Sequence, residues 1–420
     1  MPVGVGLLVL GVTTYGFLTV TARAVGPDGY ATLFSLWALV LLVGAGFFFP
    51  VEQELARTIS SRGTGSSALV RSGALLAASI SLILIVGVIL ASPFLMSRLF
   101  DHQWLLLVGL GLSVAGAGSQ FLVRGALLGN KRFEDYGLLL AAEGLSRLVG
   151  CLVLYWAGVE RPGPYGLVIG LAPWLSSLIG LRSARIILTD GPAVSKAKVF
   201  TAVGVLMVGS LFTQALLNIG PVLIKLLASD VERSDASRFL AGFVLARLPL
   251  FLFLAILASA LPRLSALAGA GDRLGFEAAV KQLTAAVGAL GLVGLVLVTV
   301  FGPSVVRIMY GADFTIGRSH LLYLAAAGAA QMLALTLGAA VIARSDELRA
   351  AAGWVLGLAV LGAVVAAEAG TLERVERGLL AGSVAAFLVM ALVLIARRHQ
   401  WEEGGVSPDE ELMAPPPVEF

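Results

Sequence analysis

The sequence predicts an all-α polytopic membrane protein of about twelve spanning helices. Three observations predict it. Hydrophobic residues make up 58% of the 420-residue chain and charged residues only 13%, about half the charged share of a soluble domain. The mean hydropathy is +0.94. The apolar residues also fall into runs of the length a helix needs to cross hydrocarbon, roughly 20 residues. Those runs lie at about 3–22, 31–52, 72–96, 104–127, 136–157, 164–187, 200–224, 237–261, 278–300, 320–343, 350–368 and 378–396. Gly and Pro within them are compatible with a bundle, where neighbouring helices satisfy the freed backbone groups. The acidic tail from His399 to Phe420, with Pro415–Pro416–Pro417, has the composition of a disordered segment.

Basic residues set the orientation, because Lys and Arg accumulate in cytoplasmic loops. With the N-terminus cytoplasmic, seventeen basic residues fall inside, ten outside, and Arg147 and Arg247 within spans. The expectation is a multi-pass protein of the cytoplasmic membrane with both termini inside. No basic run comes before Val3, so the first apolar segment is taken as a span rather than a cleaved signal. The loops are short, which leaves no space for a soluble catalytic domain, and no phosphate-binding G-x-x-x-x-G-K-[ST] run is present. The basic residues form no patch of the kind nucleic acid requires. Cys151 is the only cysteine, and His102, His320 and His399 lie too far apart to form a ligand motif. No catalytic residue, metal site or cofactor is expected. The acid-rich stretch Asp230–Glu232–Asp235 also carries Arg233 and Arg238, and is a weak basis for a membrane glycosyltransferase or polymerase.

The two halves echo each other. Gln120–Phe121–Leu122 precedes Lys131–Arg132, and Gln331–Met332–Leu333 precedes Arg344, offset by about half the chain. Six spans per half preserve orientation, giving a parallel repeat of the kind found in transporters, with a substrate site between the lobes. The expected division is 1–195 for the first lobe, 196–398 for the second and 399–420 for the tail.

Four segments then carry a resemblance. Ala22-Arg23-Ala24-Val25-Gly26-Pro27-Asp28-Gly29-Tyr30 resembles the A-R-x-L-G-P-x-x-Y/F-G signature after the first span of polysaccharide-biosynthesis flippases. Those flippases belong to the multidrug/oligosaccharidyl-lipid/polysaccharide (MOP) exporter superfamily. Arg124-Gly125-Ala126-Leu127-Leu128-Gly129-Asn130-Lys131-Arg132-Phe133 is similar to the family's turn after span four, and Leu261-Pro262-Arg263-Leu264 to its element after span eight. Phe301-Gly302-Pro303 with Tyr310-Gly311-Ala312-Asp313-Phe314 resembles its segment before span ten. The resemblance implies a V-shaped bundle of two six-helix lobes. It also implies export of a polyprenyl-pyrophosphate-linked oligosaccharide by alternating access, without ATP, beside a polymerase or glycosyltransferases as partners. The sequence does not choose between a proton and a sodium ion for coupling. Exporters of drugs or of other lipids, peptidoglycan precursor included, are the alternative within the superfamily.

Moving a phosphate-bearing lipid requires cations and polar groups inside the slab. Arg suits phosphate because its planar fork makes paired, charge-assisted bonds. Arg147, with Glu143 one turn earlier on the same face, and Arg247 beside Pro249 are the deepest candidates. Glu143 is expected to orient Arg147. Arg23, Arg124 and Lys225 lie nearer span ends and are candidate phosphate contacts, while Gln120, Gln214 and Asn218 are candidate sugar contacts. Glu52 and Glu54 are expected to be solvated at the cytoplasmic face, Asp101–His102 to be a loop pair without a partner, and Gly166 with Gly170 to serve helix packing.

Overall fold

The computed structural model describes residues 2–62, 67–183, 196–229, 232–344 and 346–397. Arg185, Arg398 and the 399–420 tail therefore lie outside the described residues. The described chain is helical throughout, and eleven segments are long and apolar enough to span a membrane. The first of them, Pro2–Ser60, contains two crossings.

Its break is at Gly26, in α1 (Pro2–Val43), where φ is 67° and ψ 179°. Glycine enters that left-handed region without steric penalty, and Pro27 then begins the second arm with a φ already suited to a helix start. The rings of Phe17 and Trp37 lie 5.7 Å apart. In an unbroken helix twenty residues would separate them by about 30 Å, so the arms run back against each other. The predicted spans at 3–22 and 31–52 are thus both present, turning at the Gly–Pro step.

A π turn (Gly44–Phe48) leads into α2 (Phe49–Arg62). Then come α3 (Ser67–Leu90), the short α4 (Ser92–Arg98), α5 (Trp104–Gly129), α6 (Phe133–Trp156) and α7 (Pro162–Ser183). The second set is α8 (Lys196–Leu227), α9 (Arg233–Ala246), α10 (Leu248–Gly269), α11 (Arg273–Tyr310), α12 (Arg318–Ala343), α13 (Glu347–Ala367) and α14 (Thr371–Ala396). Two expectations change. The run at 237–261 is two helices, α9 and α10, broken at Arg247, with Pro249 in the first turn of α10. The run at 72–96 ends early, because Pro93 starts α4.

Helices α1–α7 pack mainly among themselves, as do α8–α14, with α1 and α2 also touching α8. Glycines set the closest approaches. A Cβ at Gly357 on α13 would lie 2.7 Å from the Gly382 carbonyl oxygen of α14. Gly166 and Gly170 on α7 meet α5 in the same way, as the sequence predicts.

Burial shows how the two sets meet. One apolar core runs through both at the end bearing the Gly26–Pro27 turn, joining Phe17, Tyr30 and Phe34 to Phe239, Tyr310 and Leu321. At the opposite end one core gathers Leu55 and Leu76 of the first set with Val203 of α8, and another gathers Phe253 and Phe276 within the second set. Accordingly residues 30–38 of α1 are buried, whereas 39–45 are half-exposed, as are most of 206–215 on α8. The two sets are tightly packed at the turn end and less closely packed along 39–45 and 206–215.

Candidate functional site

The deep charges of the first set neutralise one another. On α6, Glu143 and Arg147 share a face four residues apart and form an ion pair. Both are more than nine-tenths buried, and the guanidinium of Arg147 lies 5.0 Å from the Trp37 ring centroid, a favourable cation–π placement. Arg124 Nε on α5 meets Glu52 Oε2 on α2 at 3.0 Å. Tyr136 bridges them: its hydroxyl donates to Glu52 Oε1 at 2.8 Å and accepts from Arg124 at 2.9 Å. Gly125 makes room for this pair, since a Cβ there would stand 2.8 Å from the Glu52 carbonyl oxygen. The two pairs together hold two carboxylates and two guanidiniums in balance.

This corrects one expectation. Glu52 is 1% exposed and Glu54 6%, not solvated, because α2 continues as a packed helix to Arg62 instead of ending at the predicted boundary. Arg124, a candidate phosphate contact, is paired with Glu52. Gln120 is also internal: its amide donates to Ser176 Oγ on α7 at 3.0 Å, which ties α5 to α7.

The second set presents an uncompensated charge. Arg247 occupies the α9–α10 break, with its guanidinium 4.2 Å from the Phe243 ring centroid. One amino group donates to Asn218 Oδ1 of α8 at 3.1 Å. Asn218 in turn donates to Gln214 Oε1 at 2.9 Å. Nearby, the Tyr15 hydroxyl of α1 donates to the Val244 carbonyl at 3.0 Å, so both sets border the site. Among the described residues no carboxylate lies within ion-pair distance of Arg247, and its Nε and second amino group are buried without a hydrogen-bond partner. Apart from Arg238, residues 236–246 are buried, and Arg247 is partly exposed. It therefore stands where the tightly packed part of the seam gives way to the less closely packed one.

The remaining candidates close the turn end. Arg23 donates to the backbone carbonyls of Met309, at 2.7 Å, and Ile308, capping the last turn of α11 from the other lobe. Ser237 Oγ donates to the Pro27 carbonyl at 2.5 Å. Tyr30 packs edge-on against Phe314 at 5.6 Å, which brings two signature-like segments together. Lys225 is not a free cation: its Nζ lies 2.6 Å from Asp101 Oδ2, and the same carboxylate accepts from Thr32 at 2.5 Å. Asp101 thus has a partner that the sequence did not reveal. Asp101 and His102 adopt φ of 44° and 59°, a costly conformation for non-glycine residues, beside the Asp101–Lys225 pair that joins the two sets. Glu232 accepts hydrogen bonds from the backbone and side chain of Ser229, which hold its carboxyl below the usual range. Asp235 pairs with Arg238 at 3.0 Å, and Asp230 lies outside the described residues. Sequence reasoning also missed Glu376, which is fully buried on α14 against His320. The signal was the E-R-V-E-R run at 373–377, assigned to a loop.

Comparison with solved structures places this bundle. The chain matches the inward-facing conformation of a MATE-family multidrug-resistance transporter of the MOP superfamily with a TM-score of 0.75, covering 96% of this chain and 100% of that one at 15% identity. Against an outward-facing conformation the TM-score is 0.68, covering 96% and 95% at 15% identity. A MOP-superfamily transporter from Pyrococcus furiosus, described as having a binding pocket of reversed polarity, matches at 0.68 over 96% and 94% with 14% identity. The chain has the fold of the MOP-superfamily transporters. Its sequence is 26% identical over 372 residues to the uncharacterized protein Rv3630 of Mycobacterium tuberculosis, covering 84% of this chain and 82% of that protein. It is 27% identical over 359 residues to Rv1510 of the same organism, covering 81% and 78%. No family model matches the chain.

Proposed function

We propose that the protein is a flippase that carries an anionic lipid-linked glycan across the cytoplasmic membrane by alternating access. The observation that carries this reading is Arg247, bordered by both helix sets, with two buried guanidinium nitrogens that have no hydrogen-bond partner and no carboxylate partner among the described residues. A charge within a membrane bundle costs about 2.5–3.5 kcal/mol on insertion scales and usually answers to a partner or a cavity. Arg147 and Arg124 each have a glutamate, so their pairs are explained by structure alone. Arg247 has only amides and an aromatic face, and its two idle donors suit a phosphate oxygen. The Gln214–Asn218 pair beside it offers groups for sugar hydroxyls. A cation-exporting relative would be expected to present an unpaired carboxylate at this seam. Lipid-linked glycan polymerases and glycosyltransferases are the partners such a role implies.

The test is flipping of a fluorescent polyprenyl-diphosphate oligosaccharide by the purified chain in liposomes. Arg247→Gln should reduce the rate at least tenfold, because a charge-assisted bond to phosphate contributes about 1.5–3 kcal/mol. Efflux of cationic dyes with no movement of the glycan would favour the drug-exporter reading and overturn this one.

A further inference from the structure

The donors of Arg247 are unevenly used. Nη1 donates to Asn218 Oδ1 at 3.1 Å, and the Phe243 ring lies over one face of the guanidinium. Nε and Nη2 have no hydrogen-bond partner. Those two nitrogens form one edge of the planar fork, and their N–H bonds point the same way, the arrangement that takes both oxygens of one carboxylate or phosphate. The Nη1 side is anchored. Asn218 donates to the Gln214 carbonyl at 3.1 Å and to Gln214 Oε1 at 2.9 Å, so it is fixed on α8 and fixes the guanidinium in turn. One paired edge is left over.

The charge at this place is single as well. Arg147, Arg124 and Lys225 are each matched by a carboxylate, and Arg23 is committed to the carbonyls of Ile308 and Met309. The less closely packed strips along the seam, 39–45 of α1 and 206–215 of α8, contain no Lys or Arg. Besides Gln214 their polar side chains are Ser210 and Thr213, whose hydroxyls donate to the carbonyls of Ala45 and Gly209. Among the described residues the seam therefore holds one unmatched positive charge in apolar surroundings and no second cation beside it.

We propose that the site selects a lipid phosphodiester of one negative charge, a polyprenyl monophosphate carrying its glycan, over the diphosphate-linked form. The proposal rests on the flippase reading and narrows it, and it departs from the diphosphate link that the resemblance implies. A phosphodiester presents two non-bridging oxygens and one charge, which match the idle edge of Arg247 and neutralise it. A diphosphate link brings a second charge that enters the bundle without a counter-charge. The cost of an unmatched charge on insertion scales corresponds to a slowing of about tenfold or more. Nε and Nη2 are shielded from water in this state, so the phosphate reaches them as the lobes shift. With water excluded, a mismatch of charge weighs most.

The test gives the purified full chain in liposomes a fluorescent polyprenyl monophosphate glycan, the diphosphate form with the same glycan and chain, and phosphatidylglycerol, a phosphodiester without glycan. The monophosphate glycan should flip about tenfold faster than the diphosphate form, or more, and phosphatidylglycerol no faster than in protein-free vesicles. Gln214→Lys sets a second cation beside Asn218 and Arg247, and should bring the monophosphate-to-diphosphate ratio down to about one or below. Equal rates for the two glycans, or a faster diphosphate form, overturn the proposal and leave the flippase reading standing. Phosphatidylglycerol moving as fast as the monophosphate glycan also overturns it. So does a folded Gln214→Lys chain that keeps the wild-type ratio, and the wild-type ratio decides if that variant does not fold. Movement of neither glycan removes the flippase reading and the proposal with it.

Discussion

Removing Asp101 should open the sealed end of the bundle. The carboxylate accepts from Lys225 across the seam and from Thr32 within its own set, so Asp101→Ala leaves Lys225 without its counter-charge, its side chain only 7% exposed. Breaking a fully buried pair by removing one partner costs about 3–5 kcal/mol, and an exposed pair is worth under about 1 kcal/mol. Asp101 is itself 33% exposed, so about 2 kcal/mol is the fitting value between those limits. Because every 1.4 kcal/mol is a factor of ten, this shifts the closed-to-open ratio by roughly thirtyfold. Spin labels at Glu160→Cys and Ala369→Cys, both exposed at the turn end, measure it as growth of a longer-distance population between the two sets. A charge-swapped double variant, Asp101→Lys with Lys225→Asp, should recover part of the closed population, as double-mutant logic requires for a direct contact. Unchanged distances in Asp101→Ala, with the fold intact, would refute the assignment of this pair to the seam.

Two further outcomes bear on the lobes separately. Glu52→Ala strands Arg124 beside Phe121 and Tyr136 and should lower stability by about 3–5 kcal/mol, read as a fall in the melting temperature in detergent. Restoring the lost balance with Glu52→Gln and Arg124→Gln together should recover much of it. Gly357→Leu places a side chain where α13 and α14 touch through their backbones; it should destabilise by about 1–3 kcal/mol or more through overpacking, seen as protease cleavage within the second lobe before the first.

The sequence was informative where the bilayer imposes a rule and silent where two distant segments meet. The spans were legible because hydrocarbon demands long apolar helices, and the Gly26–Pro27 turn because glycine and proline have narrow backbone meanings. The Glu143–Arg147 pair was visible as a four-residue spacing. Arg247 was legible as a deep charge, but its lack of a partner was not, since that depends on every helix around it. Glu52 was misread because a hydropathy boundary was taken for a water boundary, although α2 continues packed against α5. Lys225 and Asp101 are 124 residues apart, a separation no local pattern reports. The His320–Glu376 pair was hidden because α14 starts at Thr371, seven residues before the predicted span, so a charged run that reads as loop is a helical turn.

The grip of Arg23 on α11 has a consequence for how the two lobes can diverge. Its guanidinium binds the main-chain oxygens of Ile308 and Met309, which every amino acid supplies. The contact therefore asks nothing of the side chains at those two positions. Lys225 and Asp101 must change together or fail, whereas Arg23 recognises only the geometry of a helix end. Substitutions at 308 and 309 that keep the helix should leave this clasp unharmed, so the far lobe is free to vary there while one arginine in the first turn continues to hold it.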